Sequence, residues 1–151
     1  MPEIEIRPAT TSDIPILVGL DHHYQSEHAW QIDFSQDRED NHNSIQFRKI
    51  RLPRSVQVES PWPFNYLADS WMQYSVILIA VLSEQPVAYA SLNLEDHGLC
   101  TWVSDLVVHR PLRRQGIGSA LIWACLEWAV QAGSNSLVLE MQPKNDPAIR
   151  L

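Results

Sequence analysis

The residues with the most evident chemistry form a glycine-bearing turn at positions 113–119, where the sequence reads Arg-Arg-Gln-Gly-Ile-Gly-Ser. An apolar run ends just before this turn, and a helical pattern of apolar residues follows it. Gly116 and Gly118 have no side chains, so the unpaired N–H groups that open the predicted helix can approach an anion closely. The helix macrodipole adds about half a positive charge there, and Arg113 and Arg114 add full charges. The turn therefore predicts a site for an anion such as a pyrophosphate.

Two other phosphate-binding motifs rest on the same physics, and the sequence matches neither. A P-loop requires a lysine after its second glycine, and that lysine is absent. A Rossmann fingerprint requires three spaced glycines, whereas only Gly116 and Gly118 are present. A pair of glycines at a helix start is by itself usually structural. The arginines and the apolar strand before it favour ligand binding here.

The elements that must position the turn are predicted from the apolar pattern around it. Residues 76–82 and 87–94 predict two central strands joined as a hairpin. A third strand over 99–108 leads into the turn, and the helix over 116–131 stops at a glycine. Residues 136–141 predict the next strand.

The first half of the chain carries a weaker pattern. Residues 4–7 alternate like a half-buried strand, and a helix is predicted from residue 14 to 17. Residues 21–43 are polar and rich in histidine, with poor helical periodicity. Residues 45–58 predict a β-ribbon broken near Leu52-Pro53, and residues 62–71 predict a short helical segment.

These motifs resemble the GNAT superfamily of N-acetyltransferases, whose acetyl-CoA signature is Arg/Gln-x-x-Gly-x-Gly/Ala after a strand that ends in an apolar-x-Val pattern. Residues 113–118 match the signature, and Leu106-Val107-Val108 stands where the strand should end. The run 145–148 is similar to the Asn-x-x-Ala opening of the family's next helix. The resemblance implies an α/β fold, a mixed central sheet flanked by helices, in a single domain over 1–151. Residues 21–70 match only in being the variable acceptor region.

The resemblance also implies roles for individual residues. Backbone groups at the end of the strand would bind the acetyl carbonyl and the pantetheine arm of acetyl-CoA, which would lie as a pseudo-strand in a splay between two strands. Amides of the turn would hold the pyrophosphate, and no metal would take part. The implied cofactor-binding residues are Leu106, Val107, Val108, Arg113, Arg114, Gln115, Gly116, Ile117, Gly118, Ser119 and Asn145.

The implied reaction is direct attack of a deprotonated amine on the thioester, with the N–H of Val107 or Val108 polarising the carbonyl. Since an amine is protonated near pH 7, a carboxylate must accept its proton, directly or through water. The candidates are Asp105 and Glu140, with Glu95 or Asp96 at the hairpin end also open. Asp105 differs in parity from Val108, so the two side chains point to opposite faces of the sheet. A carboxylate that only bonds a neighbouring loop remains the alternative for Asp105 and Glu140.

The chain departs from the family at its end. It stops at Leu151, one turn into a helix for which Asp146 is the predicted N-cap and Pro147 the first residue. Family members continue through a tyrosine, often the acid for the departing thiolate, and then add strands. We expect a C-terminally incomplete domain. The alternative is a naturally short protein that covers its exposed sheet edge by forming a homodimer.

Composition narrows the partners and the compartment. The 151 residues fit one domain with a real core, and the net charge of −7 argues against a nucleic-acid partner. No apolar stretch is long enough to span a membrane, and the N-terminus does not resemble a signal peptide. Cys100 and Cys125 predict buried free thiols, and hence the reducing cytoplasm. Four histidines match no standard metal spacing and are predicted to be surface or loop residues: His22, His23, His28 and His42.

The acceptor is predicted from charge and aromatic content. Residues 1–44 hold nine acids and two bases, so they carry the whole surplus of negative charge. An acidic wall of this kind favours a small cationic amine, although a solvated helical face explains the same charge. The aromatic residues of this half fit a cation as well: Tyr24, Trp30, Phe34, Trp62 and Phe64.

The run 139–148 has a faint similarity to acetyltransferases that act on streptothricin or aminoglycosides. Polyamines, amino acids and protein N-termini stay open as acceptors. A non-catalytic module that binds or senses acyl-CoA is the alternative function.

Overall fold

The structure is a computed structural model, and it describes residues 3–37 and 39–151. It divides into two compact units: the first comprises residues 3–22 and 60–140, and the second comprises residues 23–59 and 141–151 without residue 38. No linker or shift in composition marks this division in the sequence.

The described residues contain seven strands and four α-helices. The strands are β1 (Glu5–Pro8), β2 (Tyr24–Asp37), β3 (His42–Val58), β4 (Val76–Leu82), β5 (Gln85–Glu95), β6 (Cys100–Val108) and β7 (Ser136–Leu139). The helices are α1 (Ile14–Val18), α2 (Tyr66–Ser70), α3 (Ile117–Gln131) and α4 (Asp146–Ile149).

The first unit contains a five-stranded sheet in the order β1-β4-β5-β6-β7. All neighbours are antiparallel except β6 and β7, which run parallel. The predicted mixed sheet with flanking helices is therefore confirmed, as are the hairpin, the third strand and the long helix. The last strand ends at Leu139, two residues earlier than predicted.

Each face of this sheet packs against helices, which explains the continuous apolar sequence of β4 and β5. Side chains of successive strand residues alternate between the two faces. One face packs on α3 through Leu78, Ala80, Ala88, Ala90, Leu92, Val103, Ile117, Leu121 and Cys125. The other face packs on α1 and α2 through Ile14, Leu17, Leu67, Ile77, Ile79 and Tyr89.

The two cysteines differ in their surroundings. Cys125 is fully buried in α3, and burial raises the pKa of its thiol to about 11. Cys100 is only half-buried at the start of β6, so the prediction of a buried thiol is wrong for this residue. Among the described residues, no helix has the length and apolar character needed to cross a membrane.

The second unit is built on a long antiparallel ribbon of β2 and β3, paired from Tyr24↔Val58 to Asp37↔His42. The sequence predicted the second strand but not the first, because β2 is polar on one face and half-exposed on the other. The register shifts where Glu27 stands opposite residues 52–55. This irregularity lies where the ribbon was predicted to break, because Pro53 has no N–H to donate.

Helix α4 also belongs to the second unit, and its N-cap corrects the sequence prediction. The cap is Asn145, whose side-chain oxygen accepts from the N–H of Ala148 at 3.3 Å. Asp146 is instead the first helical residue. Its Oδ1 accepts from Nε1 of Trp30 at 3.0 Å and lies 3.3 Å from Nζ of Lys49. The buried carboxylate therefore ties α4 to the ribbon.

Candidate functional site

The turn after β6 has the conformation that an anion cradle requires. Arg114 and Gly116 have φ values of 65° and 85°, both in the left-handed region. No side chain caps α3, and its first backbone bond runs from the N–H of Ala120 to the carbonyl of Gly116, at 3.0 Å. The N–H groups of residues 117–119 therefore open the helix without an intrahelical partner.

The open side of this turn lies at Gly116. A Cβ placed there would meet no atom within 4 Å, so a side chain would occupy space that the protein leaves open. Across the part of the chain that the structure describes, no protein acceptor is recorded for the N–H groups of residues 114–119. Among residues 3–37 and 39–151, no side chain closes the turn by a hydrogen bond to these groups.

Arg113 corrects one part of the sequence interpretation. Its N–H donates to the carbonyl of Arg110 at 3.2 Å, inside the preceding turn. Its Nε donates to the carbonyl of Val108 at 2.8 Å, and its Nη2 donates to the carbonyl of Asp21 at 2.6 Å. Burial lowers the pKa of this guanidinium. Arg113 therefore fixes the turn to the end of β6, and the amides from Arg114 onward are left as the candidate donors.

The edge of β6 beside the turn is open over its last residues. The pairing of β6 with β7 runs from Cys100↔Ser136 to Val103↔Leu139, whereas the pairing with β5 continues to Val108. Among the described residues, 105–108 thus have a strand on one side alone. The family resemblance implies that the pantetheine arm lies along this edge.

Hydrogen-bond direction decides which backbone groups face that open edge. The N–H of His109 donates to the carbonyl of Val87 in β5 at 2.7 Å. Because this direction alternates along a strand, Val107 also faces β5, while Leu106 and Val108 face the open edge. The predicted Val107 donor is therefore directed into the sheet. Arg113 occupies the Val108 carbonyl, which leaves the N–H of Val108 and both polar groups of Leu106 at the edge.

Asp105 lies on the face of β6 opposite to Val108, as its parity predicted. Oδ2 of Asp105 accepts from the hydroxyl of Ser91 at 2.5 Å and from that of Tyr74 at 3.2 Å. Burial and then the charge of Asp105 raise the pKa of Tyr74, so its hydroxyl stays a donor. Both bonds converge on one carboxylate oxygen, and no bond to Oδ1 is recorded within residues 3–37 and 39–151.

A second polar pair lies on the same face, and sequence reasoning missed it. The hydroxyl of Tyr89, a buried residue of β5, is 2.9 Å from Nε2 of His22. Burial raises the pKa of Tyr89, and the charge of Asp105 raises it further. The sequence predicted His22 to be a surface or loop residue because its spacing fits no metal site, and it does lie in a loop. Its partner is 67 positions away. No local signal could have joined the two.

Of the other predicted residues, three are exposed at strand ends and one belongs to the second unit. Glu140 is exposed, one residue beyond β7. Glu95 and Asp96 are exposed at the hairpin end of β5, about 17 Å from Asp105 along β6 at the usual rise per residue. Asn145 belongs to the second unit, where it caps α4. In the described part of the chain, no group of three His, Cys, Asp or Glu side chains could hold a metal.

Three aromatic side chains of the first unit, Trp62, Tyr66 and Tyr74, contact one another in sequence, and Tyr74 donates to Asp105. Trp62 stacks on Tyr66 with a centroid separation of 4.6 Å and an interplanar angle of 12°. The side chain of Tyr66 raises the pKa of Tyr74 further, so it lies beside the residue that donates to Asp105. Phe64 is exposed, whereas Tyr24, Trp30 and Phe34 belong to the second unit.

The sequence family follows from a match over most of the chain. The model of the acetyltransferase (GNAT) family matches residues 44–151. The chain belongs to the GNAT family. No curated protein sequence matches it significantly.

Solved structures show the same GNAT fold at low sequence identity. A nourseothricin acetyltransferase is 18% identical with a TM-score of 0.76, over 97% of this chain and 78% of that one. A protein of Bacillus anthracis assigned as a streptothricin acetyltransferase, in complex with acetyl coenzyme A, is 20% identical with a TM-score of 0.77, over 98% and 78%. The ribosomal-protein-S18-alanine N-acetyltransferase of Escherichia coli is 15% identical with a TM-score of 0.67, over 98% and 73%.

Proposed function

We propose that this GNAT protein transfers an acetyl group from acetyl-CoA to a primary amine of a small cationic acceptor. The observation that carries the proposal is the continuity of two backbone features. The open edge of β6 ends at Val108, and the uncapped turn begins five residues later at Arg113. A ligand with a hydrogen-bonding arm and a diphosphate fits such an arrangement.

The donor side is built from backbone. The N–H groups of residues 114–119 bind the diphosphate, and the lack of a side chain at Gly116 allows close approach. Because the diphosphate lies in the turn after Val108, the pantetheine arm reaches Val108 before Leu106 along the open edge, and the N–H of Val108 donates to it. Acetyl-CoA, when bound, supplies a thioester. The N–H of Leu106 donates to the carbonyl oxygen of the acetyl group and stabilises the negative charge that develops there.

The acceptor side is built from the carboxylate of Asp105. An alkyl ammonium has a pKa near about 10.4, so the acceptor arrives protonated. Ser91 and Tyr74 hold Oδ2, and Oδ1 binds the ammonium and accepts its proton, directly or through water. Asp105 is the favoured base because it is half-buried and held in place. Glu140 is exposed, one residue past β7, and no partner for it is recorded in the described chain.

The choice of a cationic acceptor rests on the surroundings of Asp105. Trp62, Tyr66 and Tyr74 supply aromatic faces, which attract cations. The structurally similar nourseothricin and streptothricin acetyltransferases carry the names of cationic antibiotics, which supports the same class of acceptor. The similar S18-alanine N-acetyltransferase is named for an alanine of a ribosomal protein. An alanyl peptide is therefore the alternative acceptor to compare with a small cationic amine.

The test is an acceptor panel with acetyl-CoA, read as released CoA thiol. We expect turnover with streptothricin or an aminoglycoside, and at least tenfold less with an alanyl peptide. Turnover of the peptide alone would contradict the cationic acceptor and leave the donor site standing. A rise in melting temperature with acetyl-CoA but no thiol with any amine would identify an acyl-CoA-binding module instead.

A further inference from the structure

An apolar patch covers one face of the ribbon in the second unit. Ile32 pairs with Phe47, and Phe34 pairs with Ile45 on the neighbouring rung, so all four side chains lie on the same face. Their exposed fractions are 63%, 67%, 64% and 59% respectively. Large apolar side chains grouped in this way on a surface usually mark an interaction site.

The exposed face of the ribbon favours a partner. It is a separate two-stranded sheet, and such ribbons are marginally stable in water on their own. Helix α4 covers only the base of the apolar face, where Trp30 and Lys49 reach Asp146. The four apolar side chains lie beyond that contact, toward the turn.

Charge along the ribbon is arranged in two opposite blocks. In the sequence, residues 37–40 carry a net charge of −2 and residues 48–54 carry +4. Arg48 pairs with Asp33 and Lys49 pairs with Asp146, so in the described chain the positive charge left for a partner is that of Arg51 and Arg54. Arg51 and Lys49 share the face of Phe47, because they follow it at intervals of two and four residues. Arg51 is exposed, and no ion pair is recorded for it among the described residues.

We infer that the ribbon packs face to face on the ribbon of a second copy of this chain, with the two ribbons antiparallel. The patch is centred on the pair Asp33↔Gln46. Arg51 lies five residues from that centre, about 17 Å, and the acidic turn lies at a similar distance on the other side. A two-fold axis through the centre therefore places Arg51 of each copy opposite the acidic turn of the other copy. The parallel arrangement would set the two acidic turns against each other.

The area agrees with a second copy as the occupant. At roughly 200 Å² per large side chain, the four residues expose about 500 Å² on each copy. A standard interface buries about 800 Å² per partner, so the patch supplies the apolar core and the charged ends supply the rim.

The experiment measures molecular mass by light scattering and sedimentation across the micromolar range. We expect a dimer that Phe34→Ser combined with Phe47→Ser weakens at least tenfold. Phe64→Ser is the matched control, because Phe64 is 78% exposed outside the ribbon, and it should leave the dimer unchanged. A protein that is monomeric throughout would overturn the inference, as would a dimer that survives the double substitution. Binding of the monomer to neutral phospholipid vesicles would overturn it too, by assigning the patch to lipid.

Charge reversal tests the antiparallel arrangement and does not depend on the folding of the double serine variant. Arg51→Glu and Asp40→Arg should each weaken the dimer about tenfold, and the two together should restore most of the affinity. The single-variant losses should shrink between about 0.05 M and about 0.5 M NaCl, because salt screens exposed charges. A double reversal no better than the singles would contradict the antiparallel arrangement.

Discussion

The two sides of β6 show two ways of building one site. At its edge, the donor side consists of backbone groups of Leu106, Val108 and the turn, whose direction is fixed by strand pairing and by two left-handed residues. On its α1/α2 face, the acceptor side consists of one side chain, Asp105, held by hydroxyls from two other segments. A site made of backbone groups tolerates most substitutions unless the new side chain enters the ligand's space. A site made of one side chain is lost when that residue is replaced. Mutations on the two sides should therefore affect different steps.

The largest effect on acetyl-CoA binding is expected for Gly116→Glu on the donor side. The new side chain would enter the open space of the turn and place a negative charge where the diphosphate binds. We expect the affinity for acetyl-CoA, measured by calorimetry, to fall at least a hundredfold. Strain at a φ of 85° costs about 1–2 kcal/mol, which leaves the protein folded.

Gly133→Glu is the matched control for this substitution. Gly133 follows α3 at its other end, has a φ of 84°, and has the same open space around it. The backbone strain is therefore equal in the two variants. Retained affinity in Gly116→Glu, or an equal loss in both variants, would refute the cradle.

Asp105→Asn is expected to separate the two sides of β6. Loss of a general base usually lowers kcat by about 10²–10⁴-fold. Because Asp105 points away from the open edge, the dissociation constant for acetyl-CoA should change less than twofold. Asp96→Asn, at the hairpin end of β5, should change neither quantity. Unchanged turnover in Asp105→Asn would move the base to another residue, with Glu140 the next to test.

The same difference explains what the sequence could predict. The turn, β6 and α3 are contiguous, so the type and spacing of residues 106–119 were enough to indicate a donor site. The contacts of Asp105 with Ser91 and Tyr74 join residues 14 and 31 positions apart, and the register that creates them includes a shift between Ser91 and Leu92. Such pairings depend on tertiary structure, and so the carboxylate was predicted without its partners.

The sequence pattern predicted the ribbon and α4 only in part. β2 was not predicted because its apolar residues Ile32 and Phe34 are separated from its buried ones by polar positions, and its histidines suggested a loop. The helix α4 was placed correctly, but its N-cap was assigned one residue late. Asn145 and Asp146 are both good caps, and tertiary contacts distinguish them: Asn145 accepts from the N–H of Ala148, while Asp146 is held by Trp30 and Lys49.

Tyr74→Phe tests whether the hydroxyls on Oδ2 act by positioning. The ring and its packing remain, and one hydrogen bond to a charged group is lost. Such bonds contribute about 1.5–3 kcal/mol. We expect kcat, measured where the variant is folded, to fall about tenfold with little change in the KM for acetyl-CoA, while the melting temperature falls by several degrees. Ser91→Ala should act in the same direction. A fall in stability that accounts for the whole loss of activity would mean that the hydroxyls are structural.

The smallest effect on turnover is expected for substitution of Asp13, which is in the same unit as Asp105. We interpret Asp13 as a structural carboxylate. Both of its oxygens are occupied: Arg7 donates to each at 2.8 and 3.0 Å, and Thr10 donates twice to Oδ2. The bonds recorded for Asp105 within residues 3–37 and 39–151 are to Oδ2. The bond from Arg7 is the main cause that lowers the pKa of Asp13 to about 2.

Because the folded-state pKa of Asp13 lies below the ordinary value near 3.8, its contribution to stability is present above about pH 4 and is lost as the pH falls toward 2. Asp13→Asn should lower the melting temperature at pH 7 by several degrees and flatten the acid limb of a stability curve between pH 4 and 2. Its kcat should stay within twofold of the wild type under conditions where both are folded. A carboxylate whose lone pairs are already taken can hold the end of β1 to the start of α1, but it has none left for an ammonium. If Asp13→Asn instead lowered kcat as much as Asp105→Asn, an open oxygen would no longer distinguish the catalytic carboxylate from the structural one.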